Sequence, residues 1–264
     1  MSLPEPVRAF CYAASELVPG TRRTPWGLVT TDPRFPMIWD ANNAAVLEPN
    51  PGLRLEDIED VLVPALRAAG AGHHHVEVWE TSVGNPALRT MRRRGSRTRP
   101  DVVMVFEGTS GPPASDVEVR ELDDPDEDFW PWFRTSLNEF GTEQTDEVLD
   151  QQVGRTRAVF VPAGIRWFVG FVGGERAGYT SLLSVGGVGY LDNVVTMPPF
   201  RRRGIGSATV SRAVAASRES GDRALFLLTE EDNPARRLYE RLGFRVRANV
   251  ESFTRPLGKE PVPQ

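Results

Sequence analysis

The sequence predicts a mixed α/β fold, an α+β mixed sheet carried in two tandem copies, and three observations point that way. Three strand-like runs in the second half, joined by glycine pairs, give way through a basic turn to a segment of helical period. A weak internal repeat sets Asn85-Pro86-Ala87-Leu88-Arg89, up to Gly95, against Asn233-Pro234-Ala235-Arg236-Arg237, up to Gly243, at a constant offset of 148 residues (233−85 and 243−95). Between the halves, Gly108 to Ser115 is short of core-forming residues and rich in backbone breakers, as a linker would be.

The elements follow in order. The first half offers an apolar helix from Ile58 to Ala69, a strand through Val76 and Val78, a helix opened by Asn85-Pro86 and a final strand. Past the linker, Val117, Val119 and Leu122 read as a strand. A helix with an interruption at Pro131 then covers Asp124 to Phe140, and another covers about 144 to 158. Strands follow at Arg166 to Val172, Ala177 to Val185 and Val188 to Thr196, with hairpin turns at Gly173-Gly174 and Gly186-Gly187. From Gly204 to Ser220 the spacing of Ile205, Ala208, Val210, Ala213, Val214 and Ser217 predicts a helix with a small-residue face. A strand at Arg223 to Leu228, a helix opened by Asn233-Pro234 and closed at Gly243, and a strand from about Arg247 to Phe253 complete the chain. The expected division is 1–110, a linker at 111–116, a second domain at 117–258 and a tail at 259–264.

Composition narrows the chemistry. With 40% hydrophobic and 25% charged residues the chain reads as a soluble globular protein, and no apolar run approaches the roughly 20 residues of a membrane helix. The start, Met1 to Pro6, lacks the basic residues of a secretory signal, so a cytoplasmic location is expected. Cys11 is the single cysteine, which excludes an intrachain disulfide and a multi-cysteine zinc site. The three histidines are consecutive, His73 to His75, at the start of a strand pattern; adjacent strand residues face opposite sides, so three in a row rarely share a metal, and no metal site is expected in the chain. No histidine lies in the second half to serve a Ser-His-Asp or Cys-His apparatus there. A net charge of −5 argues against general nucleic-acid binding and leaves small anionic ligands for the arginine runs at 92–94 and 201–203.

The strongest local signal is the run Val194 to Ser207, a strand passing through Arg201-Arg202-Arg203-Gly204-Ile205-Gly206 into a helix. Unpaired N–H groups and the dipole of a helix start suit a phosphate, glycines allow close approach, and arginines add charge-assisted contacts. An ordinary strand-to-helix turn with a solvated arginine run satisfies the same residues. A dinucleotide-binding loop fits less well, because Thr209 occupies the third-glycine position.

These residues resemble the Arg/Gln-x-x-Gly-x-Gly/Ala signature of the GNAT N-acetyltransferase superfamily, and the likeness extends over roughly Val117 to Pro256. With a degenerate copy in front, the layout is similar to that of tandem-GNAT proteins. The resemblance implies acetyl-CoA as acyl donor. The backbones of Val194, Val195 and Thr196 would pair with pantetheine, Arg201, Arg202, Arg203, Gly204, Ile205, Gly206 and Ser207 would hold the pyrophosphate, and Asn233 would lie beside them. It further implies direct attack by an amine, with Tyr239 protonating the leaving thiolate; since the family uses different carboxylates or ordered water as base, Asp192 is chosen from its place on the strand before the loop to take the amine proton directly or through water, and Glu139 is a weaker candidate. Each has a structural alternative: Tyr239 covering a helix–sheet edge, Asn233 capping a helix, Asp192 accepting a structural hydrogen bond.

On the acceptor side, residues 116–150 hold 13 acidic residues against Arg120 and Arg134, a net charge of −11. In the family the first two helices line the acceptor mouth, so this acidity would concentrate a cationic amine. The cluster Phe129, Trp130, Trp132, Phe133 and Phe140 is read either as core or as an acceptor wall, with Trp130, Phe133 and Glu139 chosen as substrate contacts. The expected activity is acetyl transfer from acetyl-CoA to the primary amine of a small molecule. A non-catalytic acyl-CoA-binding regulator and a protein-lysine acetyltransferase are the alternatives. Neither nucleic acid nor membrane is expected as a partner, and a homodimer is left open.

Overall fold

The computed structural model describes residues 1–94, 97–108, 117–122, 125–140 and 144–258. In chain order the elements are α1 (Glu5–Ser15), β1 (Arg22–Thr24), β2 (Gly27–Thr30), β3 (Asn43–Val46), α2 (Leu55–Ala68), β4 (His73–Val78), α3 (Pro86–Arg93) and β5 (Arg97–Phe106). They continue with β6 (Glu118–Leu122), α4 (Phe129–Ser136), α5 (Asp146–Arg155), β7 (Arg166–Val172), β8 (Glu175–Val185) and β9 (Val188–Thr196). Last come α6 (Ile205–Glu219), β10 (Ala224–Glu230), α7 (Arg236–Arg241) and β11 (Phe244–Pro256).

The chain forms two compact units that do not follow the contiguous ranges 1–110 and 117–258. One comprises Met1–Leu3, Val18–Asp101 and Ala248–Gln264, the other Pro4–Leu17 and Val102–Arg247. Strands β5 and β11 are therefore each divided, the first part of one and the second part of the other going to the same unit. The expected linker at 111–116 and tail at 259–264 lie outside the described residues, as does Gly95.

In the first unit β1, β2 and β3 run antiparallel in sequence, β3 pairs parallel with β4, and β4 pairs antiparallel with the later part of β11. Helix α2 makes the crossover from β3 to β4. Its Leu55, Ile58, Leu62 and Leu66, spaced at helical intervals, are buried against Val46, Val76, Val78 and Phe253. Asn85 caps α3 by accepting from the Leu88 N–H at 2.8 Å, and Met91 on that helix is core.

In the second unit β6, β7, β8 and β9 form an antiparallel array and β9 pairs parallel with β10 through the crossover α6. The early part of β11 and the later part of β5 lie beyond β10 in the strand order. Val102 and Met104 of β5 enter the core with Leu191, Val210, Leu227, Tyr239 and Phe244. Helix α1 belongs here too, its Phe10 ring lying 5.1 Å from Phe226 and 5.5 Å from Tyr190. The hairpins are those expected: Gly173 and Gly174 have φ of 59° and 86°, Gly186 and Gly187 62° and 72°, the two left-handed positions that a tight β7–β8 or β8–β9 turn demands. Among the described residues, no helix is long and apolar enough to cross a membrane.

Candidate functional site

The site expected at the end of β9 is built by a strand that loses one neighbour. The β9–β10 register runs from Val188↔Ala224 to Leu191↔Leu227 and stops, so beyond Leu191 the two strands pair no further. On its other side β9 stays paired to β8 through Val194↔Thr180, Val195↔Tyr179 and Thr196↔Gly178. Between these stretches β9 carries one extra residue, since Leu182 faces Leu191 while Thr180 faces Val194. The bulge falls at Asp192 and Asn193, where the Asn193 N–H donates to the Ser181 hydroxyl at 3.1 Å instead of to a strand carbonyl. One edge of Asp192 to Thr196 is thus left without a strand, as pairing with an extended ligand requires. Val195 is buried, and Val194 and Thr196 are half-buried.

From Thr196 the chain turns through a short 3-10 segment, Pro198–Phe200, into the arginine loop. Arg202 has φ 64° and Gly204, at the helix N-cap, 82°. A left-handed glycine there is inexpensive; a left-handed arginine is not, and such positions gather at functional sites. No side chain caps α6 and its first turn holds no acidic residue, so the leading N–H groups face the loop with the positive end of the dipole uncompensated. These features fit a pyrophosphate. Ile205 contributes only backbone, since its side chain is 1% exposed. It is seated by glycines: a Cβ on Gly170 or Gly178 would stand 3.0 or 3.1 Å from Ile205 Cγ2. Gly206 is packed as well, with Leu238 Cδ2 at 3.2 Å from where its Cβ would lie. Thr209 is buried and its hydroxyl lies 2.9 Å from that of Thr180, a packing and hydrogen-bonding role.

The three arginines are not equivalent. Arg201 pairs with Glu139 on the turn following α4, and its Nε donates to the Thr196 carbonyl at 3.3 Å. Arg202 and Arg203 are exposed, Arg203 lying 5.9 Å from the Phe200 ring centroid. The Arg201–Glu139 pair, 62 residues apart in sequence, joins the loop to the segment chosen as the acceptor side. Nothing in the local sequence pattern marks it.

Tyr239 lies on α7 within the core, 6% exposed, its ring 6.2 Å from Phe244. Burial pushes its phenol up to about 12, so it stays protonated. Asn233 accepts from the Ala235 N–H at 2.9 Å, forming a local turn ahead of a helix that starts at Arg236, three residues later than expected. Asp192 is half-buried and accepts from the Asn193 amide at 2.7 Å; its charge also helps to raise the Tyr179 phenol, whose first cause is burial.

Within the aromatic cluster Phe129, Trp130 and Phe133 are core, Trp132 is half-buried and Phe140 is exposed. Phe133 is 1% and Trp130 7% exposed, and with Phe129 they pack around Trp167 at centroid separations of 5.4 to 6.5 Å. Trp130 and Phe133 are buried, whereas the Glu139 side chain is 23% exposed. Aromatic bulk every one to three residues on an amphipathic helix is what a buried face looks like.

The family model described as Acetyltransferase (GNAT) family matches residues 122–244. No curated protein sequence matches the chain. Among solved structures, a functionally unknown conserved protein from Staphylococcus epidermidis ATCC 12228 superposes with TM-score 0.69 at 12% identity, covering 89% of this chain and 92% of its own. A GCN5-related N-acetyltransferase from Kribbella flavida gives 0.62 at 16%, covering 94% and 95%. A tandem GNAT protein from the clavulanic acid biosynthesis pathway gives 0.54 at 18%, covering 92% and 86%. The tandem layout is thus shared with a known fold. Over residues 122–244, the segment that contains the bulged strand, the arginine loop and α7, the chain carries a domain of the GNAT acetyltransferase family.

Proposed function

We propose that the second unit transfers an acetyl group from acetyl-CoA to the primary amine of a small molecule by direct attack. The observation that carries this is the uncapped amino terminus of α6 behind Arg202, Arg203 and Gly204, next to a strand edge left open by the end of β9–β10 pairing. The pyrophosphate accepts from the N–H groups of Ile205, Gly206 and Ser207, with Arg202 and Arg203 neutralising its charge. The pantetheine arm runs along Val194 to Thr196. Arg201, held by Glu139, shapes the loop rather than competing for phosphate.

In the reaction the neutral amine attacks the thioester carbonyl, the C–N bond forms and the C–S bond breaks. The amine proton passes to Asp192 directly or through water, and the thiolate departs. A phenol held near 12 is a weaker acid than a thiol of about 8.5, so Tyr239 steadies the thiolate with a hydrogen bond rather than delivering its proton outright. Asn233 lies on the turn before α7 and is placed at the donor side. The acid-rich stretch 116–150 supplies a negative field for a cationic acceptor.

Release of free thiol from acetyl-CoA over a panel of polyamines, amino acids, aminoglycosides and lysine peptides tests the proposal. Turnover with a small amine is expected. Saturable acetyl-CoA binding without turnover on any acceptor would mark a regulator, and turnover confined to peptides a protein acetyltransferase.

A further inference from the structure

The three histidines, set aside above as a chelating triplet, acquire a different partnership in the first unit. His75 and Glu77 are two residues apart on β4, so they share a face while His74 takes the other. Asp40 lies on the one-turn helix Trp39–Ala41. The Trp39 ring stacks on the His75 imidazole at 5.7 Å and 24°, bringing its neighbour Asp40 to the same face. One donor atom each from Asp40, His75 and Glu77 lies within 4.8 Å of the other two. His75 Nε2 and Glu77 Oε1 are 3.5 Å apart. With metal–ligand bonds of about 2.1 Å, a tetrahedral site sets its donors about 3.4 Å apart. The His–Glu pair already has that spacing, and the Asp40 donor lies within 4.8 Å of both.

We propose that Asp40, His75 and Glu77 form a binding site for a divalent first-row transition metal, Zn2+ foremost, with one position open to water.

Two further contacts separate this cluster from a chance meeting of acids. His75 Nδ1 is 2.7 Å from the Thr254 hydroxyl, and Thr254 is its register partner on β11. With the proton on Nδ1 donated there, the Nε2 lone pair faces the carboxylates. The Trp79 indole N–H donates to Glu77 Oε2 at 2.9 Å, which leaves Oε1 toward His75. Both ligands are thus oriented from behind, the arrangement that fixes tautomer and carboxylate direction at metal centres. One imidazole with two carboxylates suits Zn2+, Co2+ or Ni2+ better than Ca2+ or Mg2+, which prefer all-oxygen shells.

The test uses the full chain freed of metal by chelator and titrated with Zn2+ alone by calorimetry, and with Co2+ by visible absorption. Binding of one Zn2+ with a Kd below about 10 μM is expected, along with the intense visible bands of tetrahedral Co2+. Asp40→Asn and Glu77→Gln, each with its metal-free fold checked by circular dichroism, are expected to weaken Zn2+ at least about tenfold. Absence of Zn2+ binding overturns the proposal. So does a change of less than about threefold in either variant, which would place the metal away from these side chains.

Discussion

A phenol enclosed by Val102, Met104, Leu227 and Phe244 has a proton to share and no protein acceptor among the described residues. That combination separates chemistry from stability at Tyr239. Tyr239→Phe is expected to leave the melting temperature at neutral pH within about a degree while lowering kcat about 10- to 100-fold, the worth of one hydrogen bond to a developing anion. The KM for acetyl-CoA should stay within about twofold, and an unchanged kcat would return the residue to a packing role. The alkaline limb gives an independent check. A folded value of about 12 against about 10 unfolded means the phenol's contribution is complete below pH 10 and is lost as pH rises toward 12. Tyr239→Phe should therefore flatten the fall in melting temperature over that window and nowhere else. At Arg201 the expectation is smaller. Glu139→Gln breaks a half-exposed pair worth under about 1 kcal/mol of stability, so its effect should appear as a raised KM rather than as unfolding.

Helices α2 and α6 are the crossovers of the two parallel strand pairs β3–β4 and β9–β10, yet their amino termini are opposites. In α6 the first turn is uncapped and free of acid; in α2, Asp57 accepts from the Arg54 backbone and side chain, and Glu56 stands beside it. An anion is welcome at one and repelled at the other. Reversing charge in the loop, as Arg202→Glu with Arg203→Glu, is expected to weaken acetyl-CoA at least about tenfold with the fold intact, read by calorimetry against circular dichroism. Valine at Gly206 would be a poorer probe, because Leu238 already crowds the position and a lost site could be a lost packing. The hairpins, the crossover helix and its small-residue face were legible in sequence because each carries its own periodicity or turn chemistry. Helix α1 and the short β1 to β3 were not, being 11, 3, 4 and 4 residues long with too little pattern to separate from loop. The bulge at Asp192-Asn193 left only a polar pair within a strand as its trace, and α7 began late because Asn233 and Pro234 form a turn of their own.

Acetyl-CoA is expected to bind the intact chain with a stoichiometry near one in calorimetry, since of the two crossover helices α6 has an uncapped, acid-free start and α2 does not; a second site of comparable affinity would overturn that expectation. Deleting residues 1–110 cannot be the control for it. That cut takes Phe10, Val102 and Met104 from the second unit's own core, so a fragment of 117–258 is expected to be insoluble or molten by near-ultraviolet circular dichroism. The interleaving of the units was not readable in sequence, because nothing in β5 or β11 announces which unit will claim each part. Division of these strands also sets a timetable for the growing polypeptide. The first unit needs Val250 and Phe253, residues made about 150 positions after Asp101, so at roughly 5–20 residues per second it waits some 8 to 30 s on the ribosome with its sheet unfinished. The second unit, complete at Arg247, has all its residues before the first, whose sheet closes with the last strand to be made.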